Sequence, residues 1–259
     1  MLYIIIFSSI AVFCVLAWLL VYFNNSAIST SYYNVRIDGA EGKKIVHISD
    51  LHGKSFGKDN ITLIKKIIRQ KPDYIAVTGD IIHKYTRKNI DAALKFISAA
   101  KEIAPVMYVA GNHEMRNKGY RFFRKQLKEA GANVLDDGFI TVEGVCFTGL
   151  NGASLRNGRV FELQPDKKQI LLAHEPQFFK KYISAGYPLV LCGHAHGGQW
   201  RIPFTHKGLF APGQGRFPKY TEGVHEADGG KMIVSRGLGN SKFPLRLFNR
   251  PELVVIKLI

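Results

Sequence analysis

Five short polar clusters hold most of the chemistry open to this 259-residue chain, and each follows directly on an apolar run. They are Asp50-Leu51-His52, Gly79-Asp80, Gly111-Asn112-His113-Glu114, the lone His174, and Gly193-His194-Ala195-His196. Aspartate, asparagine and histidine together make a donor set for divalent metals of intermediate hardness, such as Mn, Fe, Zn or Co. Apart from Cys192 the set has no thiol, which argues against a structural thiolate zinc site. Of nine histidines, His52, His113, His174, His194 and His196 fall in the clusters, leaving His47, His83, His206 and His225. A single histidine near an apolar run is ordinarily a satisfied core residue; five of nine beside Asp or Gly at such run ends is a different pattern. His194 and His196 are two residues apart, so in an extended segment both imidazoles share one face.

The elements that must position these groups alternate. Lys44–Ser49, Asp73–Thr78 and Pro105–Ala110 read as buried strands, while Ile61–Gln70, Ile90–Glu102 and Gly119–Ala130 have helical spacing. That alternation predicts βαβ units around a buried sheet. The second half is richer in strands: Phe139–Glu143, Val145–Gly149, Arg159–Leu163, Gln169–Ala173, Pro188–Cys192, Met232–Ser235 and Leu253–Leu258, with a short helix near Gln177–Ser184. The expected fold is α/β, a four-layer α/β/β/α sandwich of two packed mixed sheets. Open α/β sheets bind ligands beyond the carboxyl ends of their strands, where all five clusters would lie. Lys207–Tyr220, rich in Gly and Pro, reads as a long loop of the kind that often serves function.

In this order, D-x-H, G-D, G-N-H-E, a lone H and G-H-x-H resemble the calcineurin-like metallophosphoesterase superfamily, over Asp50 to His196. The apolar N-terminus and the GHAHGGQWRIP and SRGLGN stretches resemble its membrane-associated bacterial branch, similar to enzymes that hydrolyse UDP-2,3-diacylglucosamine in lipid A synthesis. The resemblance implies two divalent metal ions (Mn, Fe, Zn or Mg). Asp50, His52, Asp80 and His196 would hold one; Asp80 would bridge to a second held by Asn112, His174 and His194. His113 would sit beside the phosphate as catalytic acid, with Glu114 supporting its turn. The chain departs from the pattern after G-D, where many members carry an acidic residue and this one has His83.

Two divalent cations about 3.5–4 Å apart lower the pKa of a bridging water and clamp the oxygens of an in-line phosphoryl displacement. With two aspartates and otherwise neutral ligands, such a site keeps a small positive charge that attracts a phosphodiester or pyrophosphate. Arg156, Arg159, Arg216, Arg236, Arg246 and Arg250 include candidate phosphate clamps. The expected function is therefore metal-dependent hydrolysis of a phosphodiester or pyrophosphate, on a lipid-linked substrate. A phosphomonoesterase is the alternative within hydrolases, although GDIIHKY stands where protein phosphatases have GDxVDRG.

The net charge of +16 points to an anionic partner. A non-catalytic module binding a membrane surface or nucleic acid would explain the charge but not the ordered Asp/His/Asn set, so nucleic acid is not the expected partner. Leu2 to Phe23 carries no charge and is long enough to cross a hydrocarbon core of about 30 Å. A cleaved signal peptide has only the Ala27-Ile28-Ser29 match in its favour, against the length and the lack of Lys or Arg before the apolar core. Residues 1–24 are thus expected as a single-pass anchor in the cell membrane, 25–43 as a linker and 44–259 as the catalytic domain. Arg36, Lys43 and Lys44 follow the span and lean toward a cytoplasmic domain. Cys14 lies in the span, and Cys146 and Cys192 read as small buried hydrophobes rather than a disulfide framework.

Overall fold

Apolar spacing decides where each helix docks. The computed structural model describes residues 1–157, 168–205, 207–227, 229–240 and 243–259. In chain order its first half contains α1 (Leu2–Ser26), β1 (Ser29–Val35), β2 (Lys44–Ile48), α2 (Ile61–Gln70), β3 (Tyr74–Val77), α3 (Arg87–Lys101), β4 (Val106–Tyr108), α4 (Asn112–Met115), α5 (Tyr120–Glu129) and β5 (Ala132–Val134). The second half contains β6 (Gly138–Val142), β7 (Val145–Leu150), α6 (Gly152–Arg156), β8 (Lys168–Ala173), α7 (Phe179–Ser184), β9 (Leu189–Cys192), β10 (Phe210–Ala211), β11 (Gly215–Arg216), β12 (Gly223–Ala227), β13 (Gly230–Val234) and β14 (Glu252–Leu258). The strand expected over Arg159–Leu163 lies outside the described residues, as does His206.

Two six-stranded mixed sheets form the centre, ordered β1-β14-β2-β3-β4-β5 and β12-β13-β9-β8-β7-β6. In the first, β2 through β5 run parallel, while β14 pairs antiparallel with β2 and parallel with β1. In the second, β13, β9, β8 and β7 run parallel between antiparallel edges β12 and β6. Residues of β3 and β7 are buried throughout, as expected of strands covered on both faces.

Three apolar clusters define the layers. Ile45, Met107, Phe147, Leu172 and Ile256 meet between the sheets. On the outer face of the first sheet, Leu63 and Ile67 of α2, Phe96 and Ile97 of α3, and Phe123 and Leu127 of α5 pack on Val46, Ile75 and Val106. On the outer face of the second, Phe179, Tyr182 and Ile183 of α7 pack on Leu171, Val190 and Met232. The result is the four-layer α/β/β/α sandwich with one apolar helix ahead of it.

One boundary differs from the sequence reading. Within 25–43, expected as linker, Ser29–Val35 pairs residue for residue with Glu252–Leu258 and forms the edge of the first sheet. Its residues are mostly half-buried, which suits Tyr and Thr, so no apolar run marks it, and its partner strand lies more than two hundred positions away in sequence.

Candidate metal centre

Each polar cluster sits where a parallel strand ends. Asp50 and His52 follow β2, Asp80 follows β3, Asn112 and His113 follow β4, His174 follows β8, and His194 and His196 follow β9. Both sheets present these carboxyl ends at one end of the sandwich, and the side chains converge. His174 Nε2 lies 3.2 Å from Asp80 Oδ2, 3.2 Å from Asn112 Oδ1 and 3.1 Å from His194 Nδ1. His52 Nε2 lies 3.2 Å from His196 Nε2, which is 3.4 Å from Asp50 Oδ1. Asp80 Oδ2 stands between the groups, 3.7 Å from His52 Nε2 and 3.2 Å from His174 Nε2.

The donor atoms of Asp50, His52 and His196, and separately those of Asp80, His174 and His194, fall within 4.8 Å of one another, and all six residues are buried. Were no cation bound among them, this geometry would be costly. Ring nitrogens face each other across hydrogen-bond distances, and buried Asp50 Oδ1 has no hydrogen-bond partner among the described residues. Asp50, His52, Asp80, His194 and His196 also hold left-handed φ of 53°, 49°, 52°, 67° and 49°. Non-glycine residues seldom adopt that region, and strain of this kind collects at functional sites. The residues therefore fit divalent metal.

Second contacts fix the geometry. Glu114 is buried; its Oε2 accepts from Asp80 N (2.7 Å) and Gly111 N (2.9 Å), and its Oε1 accepts from Ile82 N (3.2 Å), tying two of the loops together. His113 N donates to Asp80 Oδ1 (2.8 Å), and His194 N donates to Asp50 Oδ2 (2.9 Å). His174 Nδ1 meets the Thr78 carbonyl at 2.6 Å, which sets the tautomer that turns Nε2 inward. Glycine is required at Gly193, where a Cβ would fall 1.8 Å from Ser49 Oγ and 2.4 Å from Asp50 Oδ2. The SRGLGN stretch closes over Asp50 through Leu238 N to Ser49 O (3.1 Å) and Gly239 N to Asp50 O.

Charge within the cluster is strongly redistributed. Burial raises the Asp50 carboxyl to about 6, with repulsion from Asp80 adding to the effect. Burial also opposes ionisation of Asp80, yet His174 overcomes it and holds that carboxyl well below its ordinary value. His174 shows the converse: burial disfavours its cation, but Asp80 and Asp50 raise it to about 10. Burial pushes His52 and His194 down to about 3 and His196 well down, leaving three neutral imidazoles.

The cluster floors a pocket of about 550 Å³ lined by Asp80, Asn112, His113, His194 and His196, with Arg116, Arg156, Phe210 and Phe243 around it. His113 is partly exposed there, with its ring centroid 4.8 Å from that of His52. His83 packs against both rings, its centroid 5.0 Å from that of His113 and 5.5 Å from that of His52. His47 is buried within β2 against Thr78 Oγ1 (2.8 Å) and His225 lies near Tyr220, neither in the pocket. Of the arginine candidates among the described residues, only Arg156 reaches the pocket, where it also pairs with Glu175 (2.8 Å). Arg246 is fully buried and serves backbone carbonyls, Arg236 pairs with Glu252 (3.1 Å), and Arg250 binds the Ala27 carbonyl. Arg216 lies in β11 and does not line the pocket, and Arg159 falls outside the described residues. Sequence reasoning passed over Arg116, although its place two residues after Glu114 was a usable signal. It also passed over Asn249, whose Nδ2 holds the His196 carbonyl at 2.7 Å across 53 residues of sequence.

The model of the calcineurin-like phosphoesterase family matches residues 43–226. The chain belongs to this family and is a metal-dependent phosphoester hydrolase. It is 31% identical over 232 residues to metallophosphoesterase YkuE of Bacillus subtilis (strain 168), covering 85% of this chain and 80% of that one. It is 29% identical over 233 residues to phosphodiesterase YaeI of Escherichia coli (strain K12), covering 86% and 84%. A metallophosphoesterase of Aquifex aeolicus (strain VF5) is 29% identical over 236 residues, covering 82% and 84%.

Proposed function

We propose that the chain hydrolyses a phosphodiester or pyrophosphate bond of a lipid-linked substrate, using two divalent cations while anchored in the membrane by residues 1–24. Asp50, His52, Asp80 and His196 would hold one cation, and Asp80, Asn112, His174 and His194 the other. The observation that carries this reading is the position of Asp80 Oδ2, within 4 Å of a nitrogen in each of the two donor groups. Bound there, divalent cations supply Lewis-acid polarisation of the phosphoryl oxygens and a more acidic attacking water. The chain's own groups do the rest. His113, partly exposed beside the cluster, protonates the leaving oxygen. Arg116 and Arg156 line the pocket as donors to non-bridging phosphoryl oxygens.

Lipid linkage is supported by three features: α1, the basic charge, and the resemblance to UDP-2,3-diacylglucosamine hydrolases. The stretch Tyr3–Ser26 of α1 has a mean hydropathy of 2.8 and none of its apolar window is buried, which favours a span over a core helix. Its end is part of the folded unit: Asn24 and Asn25 hold the 246–249 backbone. Cleavage at Ala27-Ile28-Ser29 would remove both asparagines, which favours retention of the anchor. Arg36, Lys43 and Lys44, which follow the span, favour a cytoplasmic side for the catalytic domain.

The test uses detergent-purified full-length protein and two readouts. Elemental analysis is expected to find two divalent ions per chain. Rates on chromogenic phosphodiester and phosphomonoester substrates with manganese are expected to favour the diester. A single bound ion would remove the two-metal reading, and a preference for the monoester would replace phosphodiesterase with phosphomonoesterase.

A further inference from the structure

The base of α1 is bonded to the segment that borders the metal-site pocket. Asn24 Oδ1 accepts from Asn249 N (2.9 Å), Asn25 Oδ1 accepts from Arg246 N (3.0 Å), and Asn25 Nδ2 donates to Arg246 O (3.2 Å). Arg250 Nε donates to the Ala27 carbonyl at 3.0 Å. Strand register puts this junction at the catalytic end of the sheets. Ser29 at the start of β1 lies opposite Glu252 at the start of β14. β14 runs antiparallel to β2, with Val254 opposite His47, so its start reaches past the end of β2 where Asp50 stands.

Segment 243–250 turns two aromatic side chains outward, Phe243 at 52% exposure and Phe248 at 47%. Phe243 is also a wall of the pocket, together with Phe210. Basic residues gather on the neighbouring side of the helix base. Lys66 Nζ donates to Thr30 Oγ1 (3.4 Å), Arg69 follows one turn later on α2, and Arg250 reaches Ala27. A span leaving the bilayer near Ser26 sets residues bonded to positions 24–30 at headgroup depth. Aromatic rings are favoured at that depth, and lysine and arginine attract anionic headgroups.

We propose that Phe243 and Phe248, with Lys66, Arg69 and Arg250, form a membrane-seating face for anionic phospholipid, so that the pocket mouth opens against the bilayer surface. This rests on the anchor reading of α1 given above. Its occupant is the bilayer itself: the apolar rings enter the headgroup layer and the cations neutralise lipid phosphates. A phosphoester presented by a lipid headgroup then reaches the metal site without leaving the membrane plane, and its acyl chains stay among their neighbours.

Depth-dependent fluorescence quenching of the full chain in nanodiscs of phosphatidylcholine and phosphatidylglycerol tests the proposal. A nitrobenzoxadiazole label is placed on native Cys14, or on Phe243→Cys, Phe248→Cys or Thr141→Cys in a Cys14→Ser background; Cys146 and Cys192 are buried and unreactive. Thr141 lies on β6, the far edge of the second sheet, and serves as the reference. Spin-labelled lipids carry the quencher at the headgroup or deep in the acyl chain. Quenching of positions 243 and 248 by the headgroup quencher is expected, with none at 141. Charge reversal in Arg69→Glu/Arg250→Glu is expected to weaken the quenching at 248. If Cys14 is quenched by the acyl-chain probe while 243 and 248 behave like 141, the seating face is wrong and the anchor stands. If Cys14 also escapes quenching, the anchor reading fails and the seating face fails with it.

Discussion

His113 and Glu114 are adjacent in sequence yet differently placed, and substitution separates the roles proposed for them. His113 enters the pocket, whereas Glu114 is buried beneath it and binds three backbone N–H groups from two loops. His113→Gln is expected to lower kcat by about 10²–10⁴-fold, the range for a general acid, with metal content unchanged. Glu114→Gln is expected to lower metal affinity and activity together, by about 10–100-fold, as loss of a supporting partner does. Metal analysis beside kinetics distinguishes the two; metal loss in the His113 variant would make that residue a ligand. Titration offers a second check. Without metal His174 holds its proton, since Asp80 and Asp50 outweigh burial and raise it to about 10. A cation at Nε2 must displace that proton, so metal binding at neutral pH is expected to release protons and to weaken as pH falls. Calorimetry in buffers of different ionisation enthalpy reads the release, and buffer-independent heats would contradict it.

Elements position these residues through a few backbone contacts that side chains cannot share. Gly193→Ala would press a methyl onto Ser49 Oγ and Asp50 Oδ2, and is expected to cost about 1–3 kcal/mol, as overpacking does, along with metal affinity. Gly138→Ala, with no atom within 4 Å of the added methyl, is the matched neutral substitution. Thermal unfolding of both checks this; equal melting would mean that the β9 loop gives way without disturbing Asp50. Much of this framework was legible beforehand. Buried parallel strands wrote themselves as apolar runs, and polar residues at their ends stood out because they interrupt such runs. What escaped was set by distance. β1 has no apolar run because most of its side chains are only partly buried, and its register comes from β14. Asn249 and Arg246 matter through bonds to His196, Asn24 and Gly239 that no local pattern encodes. His83 read as a leftover, yet the loop after β3 brings it against His113.

For the whole molecule, the apolar helix α1 joins the sandwich at the end where the strands bring the site residues together, and a net charge of +16 favours an anionic surface. Metal-dependent phosphodiester hydrolysis at a centre bridged by Asp80 is the proposed activity. Its most direct measurement is turnover of a chromogenic phosphodiester by the full-length protein before chelation, after chelation, and after manganese is restored, with Asp80→Asn carried through the same steps. In the wild-type chain activity is expected to vanish with the metal and return with it, and the Asp80→Asn variant is expected to stay inactive throughout. Turnover that survives chelation, or an Asp80→Asn variant restored to wild-type rates, would contradict it.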